Sequence, residues 1–388
     1  MHAWKQLVVL LQMSLGSFEG RLGPSLVTLV GTACVVGVLI SMLSMGMGAR
    51  LMAESGASPD RAVIETSIEW VGVGGTISQQ NAALIENEPG IRHNPKGKPM
   101  ASGIFTSTIM SYKKSDDSRV FAPVNGVQPE YPSVVPELKL TAGRMFRPGL
   151  HEVIVGKTRY TEDRGMAIGD RIWLRGNEWI IVGHFEARGM LNSALLTDAL
   201  TLMSASGSRD FTRVLVTLEQ PEGFSRLGHA LRADPTLHVD LKHEAEADLD
   251  DAKPITHLLD FISYFVATVM AAGATVGAVN ALYALVEQRR REMATLRALG
   301  FGGVPIALAV LIESMLMAIP GAVLGAIAAW ALFNGYHISP EGIAFDLTVT
   351  PRLVVIGIAW ALLMGLLGGL MPAWRSARVP VADALRAT

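Results

Sequence analysis

The most strongly patterned charged segment of the chain lies between two long apolar runs, at residues 280–302. From Glu287 to Leu299 it contains no Gly or Pro, and apolar residues such as Leu296 recur at near-helical spacing, which predicts a short amphipathic helix. Glu287 precedes Arg291 by four residues, the order that favours an ion pair along a helix. A basic helix of this kind either docks into a groove of a partner protein or lies on anionic lipid.

A second candidate is Glu313, the only ionisable residue in the apolar run that follows this segment. A carboxyl group inside a bilayer is costly, so its presence indicates a function. It either relays protons or, protonated or hydrogen-bonded to a neighbouring helix, fixes helix packing. No other acid or base lies in the same run, and this favours the packing role.

Several kinds of chemistry are excluded because their motifs are missing. No Gly-x-x-x-x-Gly-Lys-Ser/Thr sequence occurs, so the chain does not bind ATP in the P-loop manner. No Ser/His/Asp set, His-Glu-x-x-His helix or Cys/His cluster stands out, and His238, His243 and His257 lack metal-ligand spacing. The net charge of −2 gives no reason to expect a nucleic-acid partner. We therefore expect no enzyme activity, metal or cofactor in this chain.

The elements that position these residues are four apolar segments long enough to cross a bilayer as helices. Two of them carry small-residue pairs that favour close helix packing, Gly273 with Gly277 and Gly365 with Gly369. We place the spans at 24–48, 256–286, 303–333 and 352–372. The remaining short segments are an interfacial helix at 1–23, the charged helix at 287–302, a loop at 334–351 and a tail at 373–388.

Residues 49–255 have the composition of a soluble domain inserted between the first and second spans. Strand and helix patterns are interspersed there, which indicates an α/β (α+β) fold, and a Pro-rich stretch at 127–136 divides it into two lobes. We interpret the acidic stretch at 243–251 as a solvated stalk that leads into the second span. The predicted strands are 104–112, 119–124, 152–155, 171–174, 179–185 and 213–218, and the predicted helices are 78–88 and 221–232.

The distribution of basic residues predicts the orientation in the membrane. Segment 1–23 carries Lys5 and Arg21, segment 287–302 carries four Arg and the tail carries three, whereas loop 334–351 has no Lys or Arg. Because positive charge concentrates on the cytoplasmic side, we expect both termini and the charged helix in the cytoplasm. The large domain is then outside it.

Three sequences resemble one known family. The pattern Glu-x-x-x-Arg-Glu-x-x-x-Leu-Arg-Ala-Leu-Gly at 287–300 resembles the cytoplasmic loop of the MacB/FtsX-type permeases of ABC transporters. The C-terminal sequence at 372–386, Pro-Ala-Trp-Arg-Ser-Ala-Arg-Val-Pro-Val-Ala-Asp-Ala-Leu-Arg, is similar to the same family. Within the inserted domain, Gly-Arg-Met-Phe at 143–146 and Glu-Val-Ile-Val-Gly at 152–156 resemble its periplasmic domain.

The resemblance implies that the charged helix is a coupling helix, seated in a groove of a separate ATPase subunit that binds ATP and Mg. It also implies a bacterial inner-membrane protein with a periplasmic domain, working as a permease homodimer with two ATPase copies. Glu313 stands where the family has a Glu that looks structural. The residues assigned to ATPase coupling are Glu287, Arg291, Glu292, Leu296 and Arg297.

Members of this family do three different jobs. They drive efflux of periplasmic substrates through an adaptor (a membrane fusion protein) and an outer-membrane channel, release lipoproteins from the membrane, or activate a cell-wall hydrolase. The size of the inserted domain fits the first two, and we expect efflux by mechanical transmission. A function of a different class is a non-transporting sensor or scaffold, whose basic loop binds a cytoplasmic partner or membrane lipid.

Overall fold

The computed structural model describes residues 22–67, 75–219, 222–234, 236–288, 295, 302–338 and 345–377. The chain divides into two compact units. The helical unit takes 1–48, 255–336 and 346–388, and the mixed unit takes 49–254 and 337–345.

The helices and strands alternate through the mixed unit, whereas the helical unit is built from long helices. In chain order the helices are α1 (Leu22–Ser55), α2 (Gln79–Ile85), α3 (Tyr131–Val134), α4 (Lys157–Glu162), α5 (Ala199–Ser206), α6 (Gly223–Ala233), α7 (Glu244–Gln288), α8 (Gly303–Phe333) and α9 (Pro351–Ala377). The strands are β1 (Arg61–Thr66), β2 (Ile77–Ser78), β3 (Ala101–Tyr112), β4 (Arg119–Val127), β5 (Lys139–Gly143), β6 (Glu152–Gly156), β7 (Arg171–Leu174), β8 (Asn177–Glu186), β9 (Leu195–Asp198), β10 (Asp210–Phe211), β11 (Arg213–Thr217), β12 (Val239–His243), β13 (His337–Ile338) and β14 (Phe345–Asp346).

Four of these helices, α1, α7, α8 and α9, are long and apolar enough to cross a membrane. In a bilayer such segments must be helical, because only the helix pairs every backbone group within the segment. Two of them extend past the predicted spans: α1 continues to Ser55, and α7 begins at Glu244 although its apolar stretch begins only at Thr256.

Small residues set the packing distances in the helical unit. A side chain at Gly321 of α8 would lie 2.7 Å from the backbone oxygen of Leu29 in α1. One at Gly357 of α9 would lie 2.9 Å from Ile40. The backbones of these helices therefore approach as closely as glycine permits.

The mixed unit is organised on one ten-stranded sheet, in the order β12-β1-β11-β3-β4-β9-β6-β8-β5, with β7 paired to β8. Most neighbours are antiparallel, but β4 with β9 and β6 with β8 are parallel. The predicted fold class, four membrane-spanning helices with an α/β domain inserted between the first two, is confirmed. The two predicted lobes stay a prediction, since one continuous sheet passes through the whole unit.

Strand β1 lies inside this sheet, between β12 and β11. Ala62 and Ile64 belong to one hydrophobic cluster and Val63 to another, and all three are buried. Since both faces are covered, the strand lacks the alternation of polar and apolar residues that marks a half-exposed strand. The sequence pattern therefore does not mark β1 as a strand.

Local turn and cap chemistry agrees with the sequence. Arg175 and Gly176 both have positive φ, 51° and 77°, and join β7 to β8 in a two-residue turn of the kind that tight hairpins prefer. Ser78 caps α2, which lies within the predicted helix 78–88, with its side chain accepting a hydrogen bond from the Asn81 amide at 3.1 Å.

Candidate functional site

The residues assigned to ATPase coupling fall at the edge of the described structure. Glu287 lies in the last turn of α7, which ends at Gln288. Arg291, Glu292, Leu296 and Arg297 lie outside the described residues. The coupling helix therefore stays a prediction.

Glu313 lies on α8 and is 9% exposed. It takes part in a polar or electrostatic interaction within the structure. The next residue, Ser314, donates a hydrogen bond to the Gly365 carbonyl of α9 at 2.8 Å. The packing role of Glu313 stays a prediction.

Arg61 is the centre of a buried polar cluster in the mixed unit. It is the first residue of β1, and its side chain is only 2% exposed. Its Nε donates to Glu244 Oε2 at 2.6 Å and its Nη1 to Glu137 Oε1 at 2.6 Å. Its Nη2 donates to the backbone oxygen of Gly56 at 2.6 Å. Each arm of the guanidinium group is thus bonded.

These contacts join the two chain segments that lead out of α1 and into α7. Gly56 and Ser58 directly follow α1, and Glu244 is the first residue of α7. The Ser58 amide also donates to Glu244 Oε2, at 2.7 Å. We call this set, Gly56, Ser58, Arg61, Glu137 and Glu244, the clamp.

The electrostatics of the clamp follow from its burial. Burial by itself lowers the pKa of Arg61, but Glu244 and Glu137 outweigh it and hold the pKa above its usual value. Burial raises the pKa of Glu244, and Arg61 only partly offsets this. Removing one partner would leave the other charged and away from water, which is costly.

The acidic stretch at 243–251 has two faces, because side chains four and three residues apart share one side of a helix. Glu244, Asp248 and Asp251 face the sheet, and Asp251 Oδ2 accepts from Arg213 Nη2 of β11 at 2.6 Å. On the other side, Asp250 Oδ2 accepts from Lys242 Nζ at 2.7 Å. The interpretation of this stretch as a solvated stalk was wrong for the face that meets the sheet.

The clamp was not recognisable in the sequence, since its members are far apart along the chain. Arg61 is separated from Glu137 by 76 residues and from Glu244 by 183. The one available signal was the helical spacing of Glu244, Asp248 and Asp251, which places three acids on one face of a helix. Across the described ranges, no group of His, Cys, Asp and Glu is arranged to hold a metal ion.

Two family models match the chain. Residues 25–234 match the MacB-like periplasmic core domain, and residues 264–381 match the FtsX-like permease C-terminal region. The first match alone covers more than half of the chain. A full-length relative is the uncharacterized ABC transporter permease YknZ of Bacillus subtilis (strain 168), 21% identical over 402 residues that cover 97% of this chain and 98% of that protein.

Solved structures of two related domains also align. The extracellular domain of the ABC-type transporter YknZ from Gram-positive bacteria is 14% identical, with a TM-score of 0.37, and the alignment covers 47% of this chain and 99% of that domain. The periplasmic region of MacB from Actinobacillus actinomycetemcomitans is 11% identical, with a TM-score of 0.37, and the alignment covers 50% of this chain and 94% of that region.

The fold and these matches define a multi-pass membrane protein with an extracytoplasmic domain. The chain belongs to the MacB/FtsX family of ABC transporter permeases, with a MacB-like core followed by an FtsX-like C-terminal region. The resemblance noted in the sequence is thereby confirmed. Membership in an ABC transporter implies an ATPase partner.

Proposed function

We propose that this chain is a permease subunit that couples ATP hydrolysis, by a separate cytoplasmic ATPase, to conformational change of its extracytoplasmic domain, and that this change drives efflux of periplasmic substrates. ATP binding would close two ATPase copies and move the coupling helix at 287–299. Helices α1 and α7 would carry the motion outward as stiff levers. In this mechanism the partner ATPase binds ATP and Mg, and the permease chain binds neither.

The observation that carries the proposal is the clamp. Both α1 and α7 run on, without a break, from an apolar span into the mixed unit. Arg61 and Glu244 then tie the end of one helix to the start of the other, with their side chains 2% and 11% exposed. Because this ion pair is buried, a displacement of either helix end has to carry the other with it or break the pair.

The orientation and assembly belong to the same proposal. Both termini and the basic segment lie in the cytoplasm, and the mixed unit lies in the periplasm of a bacterial inner membrane. Two copies of the chain pair with two ATPase copies, and an adaptor and an outer-membrane channel complete the efflux path. Gly273 and Gly277 of α7 support the pairing, because side chains built there meet nothing within 4 Å among the described residues.

The coupling helix is tested by charge reversal in it. We expect the double variant Arg291→Asp, Leu296→Asp to insert in the membrane but to lose the ATPase, because it removes a predicted basic contact and an apolar one. The readout is the amount of ATPase that co-purifies with the tagged permease. Arg290→Asp is the matched control, since it changes the same charge at a position outside the assigned contacts. Equal ATPase recovery from the double variant and wild type would refute the assignment.

The proposed role in efflux is tested by identifying the proteins that co-purify with the chain. Gentle affinity purification of the tagged chain from its native membrane should recover a soluble ATPase together with a periplasmic adaptor. Recovery of the ATPase with lipoproteins or with a cell-wall hydrolase, and without an adaptor, would overturn efflux and keep the coupling. Absence of any ATPase from intact, folded chain would contradict the proposed function as a whole.

A further inference from the structure

The mixed unit contains a cavity of about 260 Å³ beside the clamp. One wall is the sheet, with Val63 of β1, Ile104 of β3 and Leu215 of β11. The opposite wall is the first turns of α7, with Asp248 on the face toward the sheet. This volume is just below the lower end of the range for small-molecule sites, about 300 Å³, so it suits a compact ligand. The walls combine apolar side chains with charged ones.

Three polar groups in the cavity lack partners among the residues that the structure describes. Tyr131 is 4% exposed, and only its backbone forms hydrogen bonds, so its hydroxyl is free at the cavity wall. The carboxyl group of Asp248 forms no hydrogen bond there either. Glu137 Oε2 is buried and unpaired, although Oε1 of the same residue is bonded to Arg61. A buried oxygen such as Glu137 Oε2 is normally bonded to something.

The free buried groups are mainly acceptors, whereas the buried donors, on Arg61 and Arg213, are already used; Arg188, the third arginine of the lining, is exposed. Arg61 bonds to two carboxylates and a carbonyl, and Arg213 bonds to Asp251. An occupant therefore has to bring hydrogen-bond donors of its own. The described residues offer no group of His, Cys, Asp and Glu arranged to bind a metal, so an inorganic divalent cation does not fit.

Charge agrees with this chemistry. The acids that line the cavity are Glu137, Glu244, Asp248 and Asp251, and the bases are Arg61, Arg188 and Arg213, so the lining is negative by one charge when all are ionised. Only the Asp248 carboxyl is wholly without an ion-pair bond. Burial, and next the neighbouring Glu244, raise its pKa to about 7, against the opposing effect of Arg213 and Arg61.

We propose that this cavity is a binding site for a small organic cation, an ammonium group on a compact apolar body, held by Asp248, the Tyr131 hydroxyl and Glu137. The apolar body lies against Val63, Ile104 and Leu215. The proposal concerns binding alone and does not depend on the transport function. Since α7 closes the cavity, an occupant also contacts the base of the helix that continues into the second span.

Binding is measured on the full chain in nanodiscs of zwitterionic phosphatidylcholine, by saturation-transfer NMR or calorimetry. The probe is benzylammonium, and benzyl alcohol and benzoate are its neutral and anionic counterparts of similar shape. We expect the cation to bind at least about tenfold more tightly than either counterpart, and empty nanodiscs to give the background. Between about pH 5 and about pH 7 its affinity should rise by about tenfold per pH unit and then level off, as Asp248 ionises.

Two variants identify the site. Asp248→Asn keeps the shape of the side chain. It should lower the affinity for benzylammonium by about tenfold or more and remove the pH dependence of binding. Tyr131→Phe should lower the affinity for benzylammonium by a smaller factor. Asp250→Asn is the matched control, because Asp250 lies on the same helix but faces Lys242 and not the cavity. It should bind the probe as wild type does.

Several results would overturn the site. Benzyl alcohol or benzoate binding as tightly as benzylammonium would show that the cavity does not select a cation. Unchanged affinity in Asp248→Asn, or an equal loss in Asp250→Asn, would place the cation elsewhere. No binding of benzylammonium at millimolar concentration to folded wild-type protein would remove the proposal altogether, whether or not an ATPase co-purifies.

Discussion

The two ends of α7 are held by opposite means. At its start, in the mixed unit, Glu244 is 8% exposed and ion-paired, and Ala247 is fully buried. Along its apolar stretch, Thr256–Gly277, only 17% of the most apolar 18 residues are buried. Phe261 and Phe265 there are 68% and 60% exposed. The charged part of the helix is thus the more firmly enclosed of the two.

The difference follows from what surrounds each end. A charged face can be buried only where specific partners meet it, and Arg61 and Arg213 supply these for α7. An apolar face in a bilayer gains little by leaving lipid, so it stays outward unless small residues permit close packing. The start of α7 is therefore fixed by ion pairs with Arg61 and Arg213, whereas most of its apolar stretch is not buried among the described residues.

The largest effect on the free energy of unfolding is expected from removing the buried carboxylate, in Glu244→Ala. This leaves Arg61 with one carboxylate fewer in a site where its side chain is 2% exposed, and breaking such a pair costs about 3–5 kcal/mol. The measurement is denaturant unfolding of the full chain in detergent, followed through the mixed unit. Replacement of Arg61 together with both of its carboxylate partners, in Arg61→Met with Glu137→Gln and Glu244→Leu, should recover much of the loss, since no charge is then stranded.

The control for this experiment removes an exposed carboxylate from an arginine. Glu178 pairs with Arg171 at 3.1 Å, but the two side chains are 42% and 62% exposed. Glu178→Ala should therefore change stability by less than about 1 kcal/mol, because exposed pairs gain little over water. Equal losses in Glu178→Ala and Glu244→Ala would show that burial does not set the strength of the clamp.

The next largest effect on stability is expected to depend on pH. Asp248 has a folded-state pKa of about 7, against a usual value of 3.8, so the folded state binds a proton more tightly than the unfolded state. Its contribution to stability is then full at low pH and is lost as pH rises from about 4 to about 7. Asp248→Asn should be the more stable protein at about pH 8, by up to about 4 kcal/mol, and equal to wild type near pH 4. Parallel stability curves for the two proteins would contradict the raised pKa.

A smaller effect distinguishes the two glycine pairs in the helical unit. A side chain at Gly369 of α9 would overlap the hydroxyl of Ser314 in α8, whereas one at Gly273 of α7 meets nothing within 4 Å. Gly369→Val should lower the stability of the helical unit by about 1–3 kcal/mol, since it overpacks a close helix contact. The readout is the temperature at which the monomer peak is lost on gel filtration.

Gly273→Val is the matched partner of that experiment. It should leave the thermal stability of the monomer unchanged and reduce the proportion of permease dimer, measured by mass photometry in nanodiscs. A loss of monomer stability as large as in Gly369→Val would mean that α7 is packed along its apolar stretch after all. An unchanged dimer would remove this face from the proposed permease contact.

Much of the fold was predictable, for reasons visible in particular residues. The four spans follow from uncharged runs that can satisfy their backbone only as helices. Strands β3, β4, β6–β8 and β11 were predicted because β-branched and aromatic residues are concentrated there, and turn residues such as Arg175-Gly176 bound several of them. Strands β1, β2, β5, β9, β10 and β12 were not predicted. Strand β1 was missed because it is covered on both faces and has only three apolar residues.

The candidate site was predictable only in part. The spacing of Glu244, Asp248 and Asp251 places three acids on one helical face, but spacing does not show what that face meets. The glycine pairs illustrate the same limit, since Gly365 and Gly369 pack against α8, whereas built side chains at Gly273 and Gly277 meet no described residue within 4 Å.

The sequence by itself determined the class of protein, the four spans, the inserted α/β domain and the family. These depend on local composition and on short patterns, which a chain displays whether or not it is folded. The tertiary structure decided that Arg61, Glu137 and Glu244 form one buried cluster. It also decided that Asp248 faces a cavity and that the pKa of its carboxyl group is raised. Burial and ion pairing arise only when residues distant along the chain are brought together and water is excluded from between them.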